Sequence, residues 1–150
     1  MKKLTLLLLL IPILSFGQTE HLNFKVENSQ IIWQKIYDED LDIESQEIKL
    51  QAIDLPTMTT TFWLSDISGA DMKVEKKDGR TRITLSKIFS VSSTAMNFGS
   101  VLQNPKPTYA EKGYLKKGEF KRLFIKKDGA LIEEIILREI KALLPGNDDW

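Results

Sequence analysis

The apolar residues in the first part of the chain alternate with polar ones, a pattern that predicts paired β-strands. Alternation over residues 22–26 is followed by turn residues at 27–30 and by the run 31–37, which is rich in β-branched and aromatic side chains. A period of two is typical of a half-buried strand. We therefore expect a β-hairpin over residues 22–37. One face of its second strand carries Ile31, Trp33 and Tyr37.

A second hairpin is predicted over residues 70–91. Apolar and polar residues alternate before Asp78-Gly79, and the alternation resumes at Ile83 and Leu85. A type I′ turn needs positive φ at both central residues, which glycine adopts freely and aspartate more readily than most residues do. This dipeptide between two alternating runs is the clearest local signal in the chain.

The C-terminal region predicts an amphipathic helix over about residues 130–144. Its apolar residues recur every three or four positions, which places them on one face. Glu134 and Arg138 have the i, i+4 spacing of an ion pair along a helix, and Pro145-Gly146 ends the pattern.

A short helix is predicted within residues 38–53, where the alternation fades. Asp40 or Asp42 could cap it, because aspartate accepts hydrogen bonds from the free amides of a first helical turn. The apolar residues that such a helix would turn inward are Ile43, Ile48 and Ala52.

Three further segments have distinct compositions. Residues 59–64 are dense in threonine and aromatic residues and predict a strand. Residues 92–118 contain many Ser, Asn, Pro and Gly residues without a clear period, which predicts a long loop that is either functional or mobile. Residues 120–124 have apolar residues at helical spacing, and residues 126–129 predict a turn.

Together these elements predict an α+β fold, with an antiparallel β-sheet and with a short helix and the C-terminal helix packed on one face. Grouped strands with separate helices are typical of that class. The length of 150 residues suits one domain, which we place at residues 18–150.

The first 17 residues have the layout of a cleavable signal peptide. A short basic end is followed by an apolar run from Leu4 to Leu14, which is too short to span a bilayer, and by small residues before a cut expected after Gly17. We therefore expect a periplasmic or secreted protein without a transmembrane span. A bacterial lipoprotein needs a cysteine at the cut, and the chain has none, so we expect neither a lipid anchor nor disulfides.

The charge balance gives no electrostatic reason to expect nucleic acid or an anionic membrane as a partner. Loss of Lys2 and Lys3 from the 21 basic residues leaves 19 against 21 acidic ones, a formal charge of −2. Basic residues cluster at Lys76, Lys77, Arg80 and Arg82, and again at Lys116, Lys117, Lys121, Arg122, Lys126 and Lys127. Phe120 and Phe124 interleave the second cluster, as in some surfaces for nucleic acids or anionic glycans. We favour solvated faces that protect the sheet from edge pairing.

Residues that commonly carry catalysis or bind metals are scarce. His21 is the only histidine, and it lies near the expected mature N-terminus, where chains are usually mobile. The aspartates from Asp38 to Asp42 have the spacing with which a calcium loop begins, but Ile43 and Lys49 occupy the places that need glycine and glutamate. The chain also has no glycine-rich phosphate loop. We therefore expect no metal, no cofactor and no catalytic residues.

The three tryptophans have different expected roles. Trp33 and Trp63 lie on predicted strands, where packing is the usual role of a large aromatic side chain. Trp150 is the last residue of the sequence, and it is either a docking tip or part of a frayed end.

Two runs carry a resemblance to a known family. They extend from Phe24 to Tyr37 and from Val74 to Leu85, and the second contains Asp78-Gly79-Arg80. They resemble small exported proteins of Gram-negative bacteria, a domain-of-unknown-function family with a TATA-binding-protein-like fold, in which a tyrosine stands at the position of Thr81. The resemblance covers residues 22–91 best. It implies a curved antiparallel sheet with two helices on one side, and it implies no activity and no catalytic residues.

These observations favour a noncatalytic periplasmic or secreted binding module for an envelope protein or a small ligand. Its binding surface would be a sheet face or the segment 92–118. Two alternatives stay open: a carboxylate-based hydrolase of envelope glycans, and an envelope assembly protein that joins subunits through exposed strand edges. The sequence does not define the oligomeric state.

Overall fold

The computed structural model describes residues 18–53, 62–91 and 106–146. Its strands are β1 (Glu20–His21), β2 (Phe24–Glu27), β3 (Gln30–Tyr37), β4 (Gln46–Lys49), β5 (Ile67–Lys77), β6 (Arg80–Ser90), β7 (Thr108–Tyr109), β8 (Leu115–Lys116) and β9 (Glu119–Phe120). Its helical segments are α1 (Phe62–Ser65), α2 (Ala110–Tyr114), a π-helical turn (Phe124–Asp128) and α3 (Gly129–Leu143). The predicted signal peptide and Trp150 lie outside the described residues.

Seven strands form one antiparallel sheet in the order β1-β2-β3-β6-β5-β4, with β7 paired to β6 beyond the end of β3. Strands β8 and β9 form a separate small hairpin. The predicted α+β class is therefore confirmed, with short helices and a C-terminal helix beside an antiparallel sheet. The C-terminal helix begins at Gly129 and ends at Leu143, close to the predicted bounds.

Both predicted hairpins are confirmed. The first pairs β2 with β3 around Asn28 and Ser29, and the second pairs β5 with β6 around Asp78 and Gly79. All four turn residues have positive φ, 52° at Asp78 and 72° at Gly79, as a type I′ turn requires. This turn matches the twist of the flanking strands.

The core lies between α3 and one face of the sheet, which we call the inner face. Ile31 and Trp33 on β3 are fully buried, as are Ile83 and Leu85 on β6, which run beside them. The buried isoleucines of α3 complete this core, namely Ile132, Ile135, Ile136 and Ile140. The opposite side, the outer face, carries Arg82 and Thr84 of β6, but also Ile32 and the 56% exposed Ile36 of β3, so polar and apolar residues are separated between the two faces in β6 and only in part in β3.

The helix predicted within residues 38–53 is wrong. Ile48 instead lies on β4, where it is paired with Ala70 of β5. Before β4, the hydroxyl of buried Thr81 donates a hydrogen bond to the carbonyl oxygen of Glu39 and accepts one from the N–H of Leu41, both at 2.9 Å. These long-range bonds hold the segment and satisfy backbone groups that a helix would otherwise pair internally.

The strand predicted at residues 59–64 is also wrong where it is described, because Phe62–Ser65 is the short helix α1. The indole N–H of Trp63 donates to the carbonyl oxygen of Thr108 at 3.1 Å, and its ring meets that of Tyr114 edge-on at 5.2 Å. Contacts with distant residues thus override the local strand preference.

The long loop predicted at 92–118 is wrong for its second part. Residues 106–118 contain β7, α2 and β8, while residues 92–105 lie outside the described residues. Tyr114 of α2 is buried, so tertiary packing holds a segment that has no sequence period.

The turn predicted at residues 126–129 is wrong as well, because the π-helical turn runs directly into α3. The absence of a side chain at Gly129 allows Phe124 and His21 to pack closely against the start of α3. A Cβ at this position would lie 2.8 Å from the carbonyl oxygen of Phe124 and 3.0 Å from the ring of His21. Phe120 lies in strand β9 and not in the helix that its spacing predicts.

The predicted pair between Glu134 and Arg138 does not form. Arg138 binds Glu139 at 2.8 Å and donates to the carbonyl oxygens of Gln51 and Ile53. The hydrogen bonds of the guanidinium therefore connect the segment after β4 to α3.

Within residues 18–53, 62–91 and 106–146, no helix is both long enough and apolar enough to cross a membrane.

Candidate ligand-binding cleft

A β-bulge in β6 interrupts the sheet at Lys87. From Asp71 to Gly69 strand β5 advances two residues, while β6 advances three from Ser86 to Phe89. Lys87 has a φ of 50°, unusual for a residue with a side chain. The extra residue shifts the inward alternation from odd to even positions, and Ile88 is buried. Bulges of this kind occur often beside functional sites.

The bulge separates two strands that share the same side of β6. Strand β3 is paired with β6 as far as Trp33 opposite Leu85, and β7 begins its pairing at Tyr109 opposite Phe89. Between the start of β3 and the strand β7 lies a surface cleft of about 580 Å³. Its lining residues are Ser29, Gln30, Lys87, Pro107, Thr108, Tyr109, Glu111 and Lys112. This volume is in the range of small-ligand sites.

The charges in the cleft are not equivalent. Glu111 is engaged structurally, because its Oε1 accepts the N–H of Ile31 at 2.8 Å. Lys87 pairs with Asp71 across the strands at 3.2 Å. Lys112 makes no ion pair within the described part of the chain. The cleft therefore holds one ammonium group without an ion pair, near the exposed ring of Tyr109, which is 44% accessible, and one carboxylate whose Oε1 is occupied by a backbone N–H.

Two of the four basic residues in the predicted group at 76–82 pair with local carboxylates, and in the described part of the chain Lys77 and Arg80 make no ion pair. Glu75 lies within 3.1 Å of Lys73 and 2.9 Å of Arg82, and hydrogen bonding from Lys73 is the main cause of its lowered pKa. Lys76 lies 2.9 Å from Asp40, and this hydrogen bond raises the pKa of the ammonium group. These pairs support the interpretation as a solvated face.

The second basic group, at residues 116–127, lacks accessible aromatic partners. Phe120 and Phe124 stack on each other with ring centroids 4.4 Å apart, and both are buried. A surface that stacks bases or sugars needs rings that the ligand can reach. The lysines here therefore surround a core cluster and do not form a basic and aromatic binding surface.

Several polar groups that could suggest chemistry serve the packing of the helices. The Tyr114 hydroxyl donates to Oδ2 of buried Asp128 at 2.7 Å. Glu133 on α3 accepts hydrogen bonds from the Trp33 indole N–H at 3.0 Å and the Asn23 amide at 2.5 Å. Burial, followed by the charge of Glu133, raises the pKa of Tyr37.

The candidate metal residues do not converge. In the ranges that the structure describes, no group of three or more His, Asp or Glu side chains is placed to hold a metal ion. Asp40 pairs with Lys76 instead. His21, predicted to be mobile, lies in β1 and packs edge-on against the ring of Phe124 at 6.0 Å.

The cleft residues themselves were not individually predicted. Tyr109 and Lys112 fall inside the segment 92–118, whose length suggested a functional role. The sequence signal for Lys87 is a change in the alternation of apolar residues, because the next buried residue after Leu85 is Ile88 and not residue 87. Comparison with known protein families, curated proteins and solved structures gives no match of any of the three kinds.

Proposed function

We propose that this chain is an exported, noncatalytic binding module and that the cleft between β3 and β7 holds a small anionic sugar of the bacterial envelope. The observation that carries this proposal is the bulge in β6 at Lys87, which lies beside a concave site between β3 and β7. The periplasmic or secreted location and the membership of the TATA-binding-protein-like exported family belong to the same proposal.

The lining chemistry supports an acidic monosaccharide. Lys112 supplies a positive charge for a carboxylate, and Tyr109 offers an amphipathic ring against which a sugar face can pack. Gln30 and Thr108 carry side-chain groups that hydrogen-bond to hydroxyls. A mainly apolar site with a few placed polar groups is typical of small-ligand binding.

The test is an amide chemical-shift titration of the protein with glucuronate, glucose and acetate. We expect glucuronate to shift the amides of residues 29–30 and 108–112 in a saturable manner, with a Kd of about 1 mM, or −4 kcal/mol. Glucose lacks the carboxylate and acetate lacks the ring, so both should bind more weakly. Equal, unsaturable shifts for all three compounds would show that the cleft is not a sugar site.

The matched variants are Lys112→Gln in the cleft and Lys116→Gln on β8, outside it. Lys112→Gln removes the charge that faces the ligand, so we expect about a fivefold rise in Kd, equivalent to ~1 kcal/mol. Lys116→Gln should leave the Kd unchanged. An equal effect of the two substitutions would point to general charge screening and against this site.

The hydrolase alternative lacks a specific supporting observation. Glu111 is the carboxylate in the cleft, and its Oε1 is hydrogen-bonded to the Ile31 N–H. A glycosidase of the common kind needs two carboxyl groups that flank the scissile bond. The binding module is therefore the function that the described residues support best.

A further inference from the structure

Strand β4 forms one edge of the sheet, and no strand covers its outer side in residues 18–53, 62–91 and 106–146. The opposite edge differs, because the carbonyl oxygen of Gln18 before β1 accepts the N–H of Phe120 in β9 at 2.9 Å. An uncovered strand presents backbone donors and acceptors that can pair with another chain. The sheet can therefore be extended at β4.

A hydrogen bond just after the end of β4 shows which backbone groups of this strand point toward β5. The N–H of Leu50 donates to the carbonyl oxygen of Ser68 at 3.0 Å, so that amide points toward β5. Backbone groups alternate in direction along an antiparallel strand. The backbone groups of Glu47 and Lys49 therefore point away from β5, toward the open side.

The side chains of Glu47 and Lys49 lie on the outer face of the sheet. Ile48, between them in the sequence, is buried on the inner face. Within the described part of the chain neither makes an ion pair. Glu47 is opposite Asp71 of β5, a like charge, and Lys49 is opposite Gly69. One carboxylate and one ammonium group thus stand uncompensated on the open edge.

We propose that β4 pairs in antiparallel fashion with β4 of a second copy of this chain, about a two-fold axis at Ile48. In this register Glu47 of each copy is directly opposite Lys49 of the other. Their outward backbone groups then exchange hydrogen bonds, and their side chains form two cross-strand ion pairs. The two Ile48 residues face each other as the closer, non-hydrogen-bonded pair.

The charges select this register and this partner. A two-fold axis at Glu47 or at Lys49 would still let the outward-pointing amides form hydrogen bonds. It would, however, place two glutamates or two lysines directly opposite each other, which is destabilising. An unrelated apolar strand would leave both charges without partners, which is how charged edges ordinarily prevent pairing. Self-pairing satisfies both charges at once, so charge complementarity favours a second copy.

A groove beneath the edge leaves room for the added strand. It lies between β4 and the last turns of α3, has a volume of about 270 Å³, and includes Ile48, Ala142 and Leu143 in its lining. Leu143 is 38% exposed and would become covered. The strand pairing itself involves only the four residues of β4, so we expect a weak and concentration-dependent dimer.

The test is sedimentation equilibrium from micromolar to millimolar protein at low salt, with Glu47→Lys, Lys49→Glu and the double variant. Each single reversal replaces two cross-strand attractions by repulsions, so we expect the dimerisation constant to fall at least about tenfold. The double variant restores opposite charges and should dimerise like the original. The two single variants, each monomeric alone, should form a mixed dimer when combined.

Glu134→Lys, an exposed reversal on α3, is the matched control for the change in net charge and should leave the dimerisation constant unchanged. Circular dichroism checks that every variant is folded. A strict monomer at millimolar concentration, a double variant that stays monomeric, or single variants that dimerise normally would each overturn the proposal. So would protection of the Glu47 and Lys49 amides from hydrogen exchange in a particle of monomer mass, which indicates another occupant.

Discussion

Glu133 is the helix residue whose removal tests how α3 is fixed to the sheet. Its Oε1 accepts the indole N–H of Trp33, a fully buried residue of β3, at 3.0 Å. It also accepts the side-chain amide of exposed Asn23 at 2.5 Å. A single carboxylate oxygen thus joins the helix to β3 and to the turn before β2. We predict that Glu133→Ala is strongly destabilising.

The size of the effect follows from which donor is left behind. A hydrogen bond to a charged group contributes about 1.5–3 kcal/mol, and a buried donor without a partner costs ~1–3 kcal/mol. The exposed Asn23 amide can turn to water, so its loss adds little. We therefore expect Glu133→Ala to lower the free energy of unfolding by about 2–3 kcal/mol. Glu133→Gln keeps a carbonyl acceptor and should cost only about 1 kcal/mol.

The measurement is urea unfolding followed by tryptophan fluorescence and by circular dichroism. With a slope of about 1–3 kcal/mol per molar urea, the midpoint should fall by about 1 M or more. Glu134→Ala, at the next and exposed position, should stay within ~0.5 kcal/mol of the original protein. If Glu133→Ala and Glu134→Ala are equally stable, the bond to Trp33 does not hold α3. A double-mutant cycle with Trp33→Phe should give a coupling energy of about 1–2 kcal/mol.

Two further predictions concern packing and pH. Gly129→Ala should lower the free energy of unfolding by about 1–3 kcal/mol despite a helix propensity gain of ~1 kcal/mol, because the new Cβ would lie 2.8 Å from the Phe124 carbonyl oxygen. Thermal unfolding measures this change. A variant more stable than the original protein would contradict the close contact. The raised pKa of Tyr37 means that the unfolded chain ionises first, so stability should fall as the pH rises above the ordinary tyrosine value of 10.0. Tyr37→Phe should reduce that alkaline loss, whereas Tyr109→Phe, at an exposed site, should retain it.

The features that could be predicted from sequence are those that depend on neighbouring residues. The Asp78-Gly79 turn was predictable because positive φ at two adjacent positions is a local requirement. The stripe of α3 was predictable because one helical period determines which residues are buried. Both hairpins and the terminal helix therefore agree with the structure.

The features that failed depend on partners far along the chain. Residues 38–45 are held by Thr81, and Trp63 is held by Thr108, so local composition was a poor guide at both places. The cleft was unpredictable for the same reason. It joins Gln30, Lys87 and Lys112, which come from separate elements and meet only in the folded chain.

The two proposed surfaces are separable in space, and this makes each test independent of the other. The cleft lies between β3 and β7 on one side of β6, while β4 lies beyond β5 on the other side. Pairing at β4 therefore leaves both clefts of a dimer open, and two sites on one particle would increase the avidity for a repeated envelope ligand. Reversal of Glu47 should abolish the dimer without changing the Kd of glucuronate for one protomer. Lys112→Gln should weaken glucuronate binding without changing the dimerisation constant, so the failure of either proposal does not remove the support for the other.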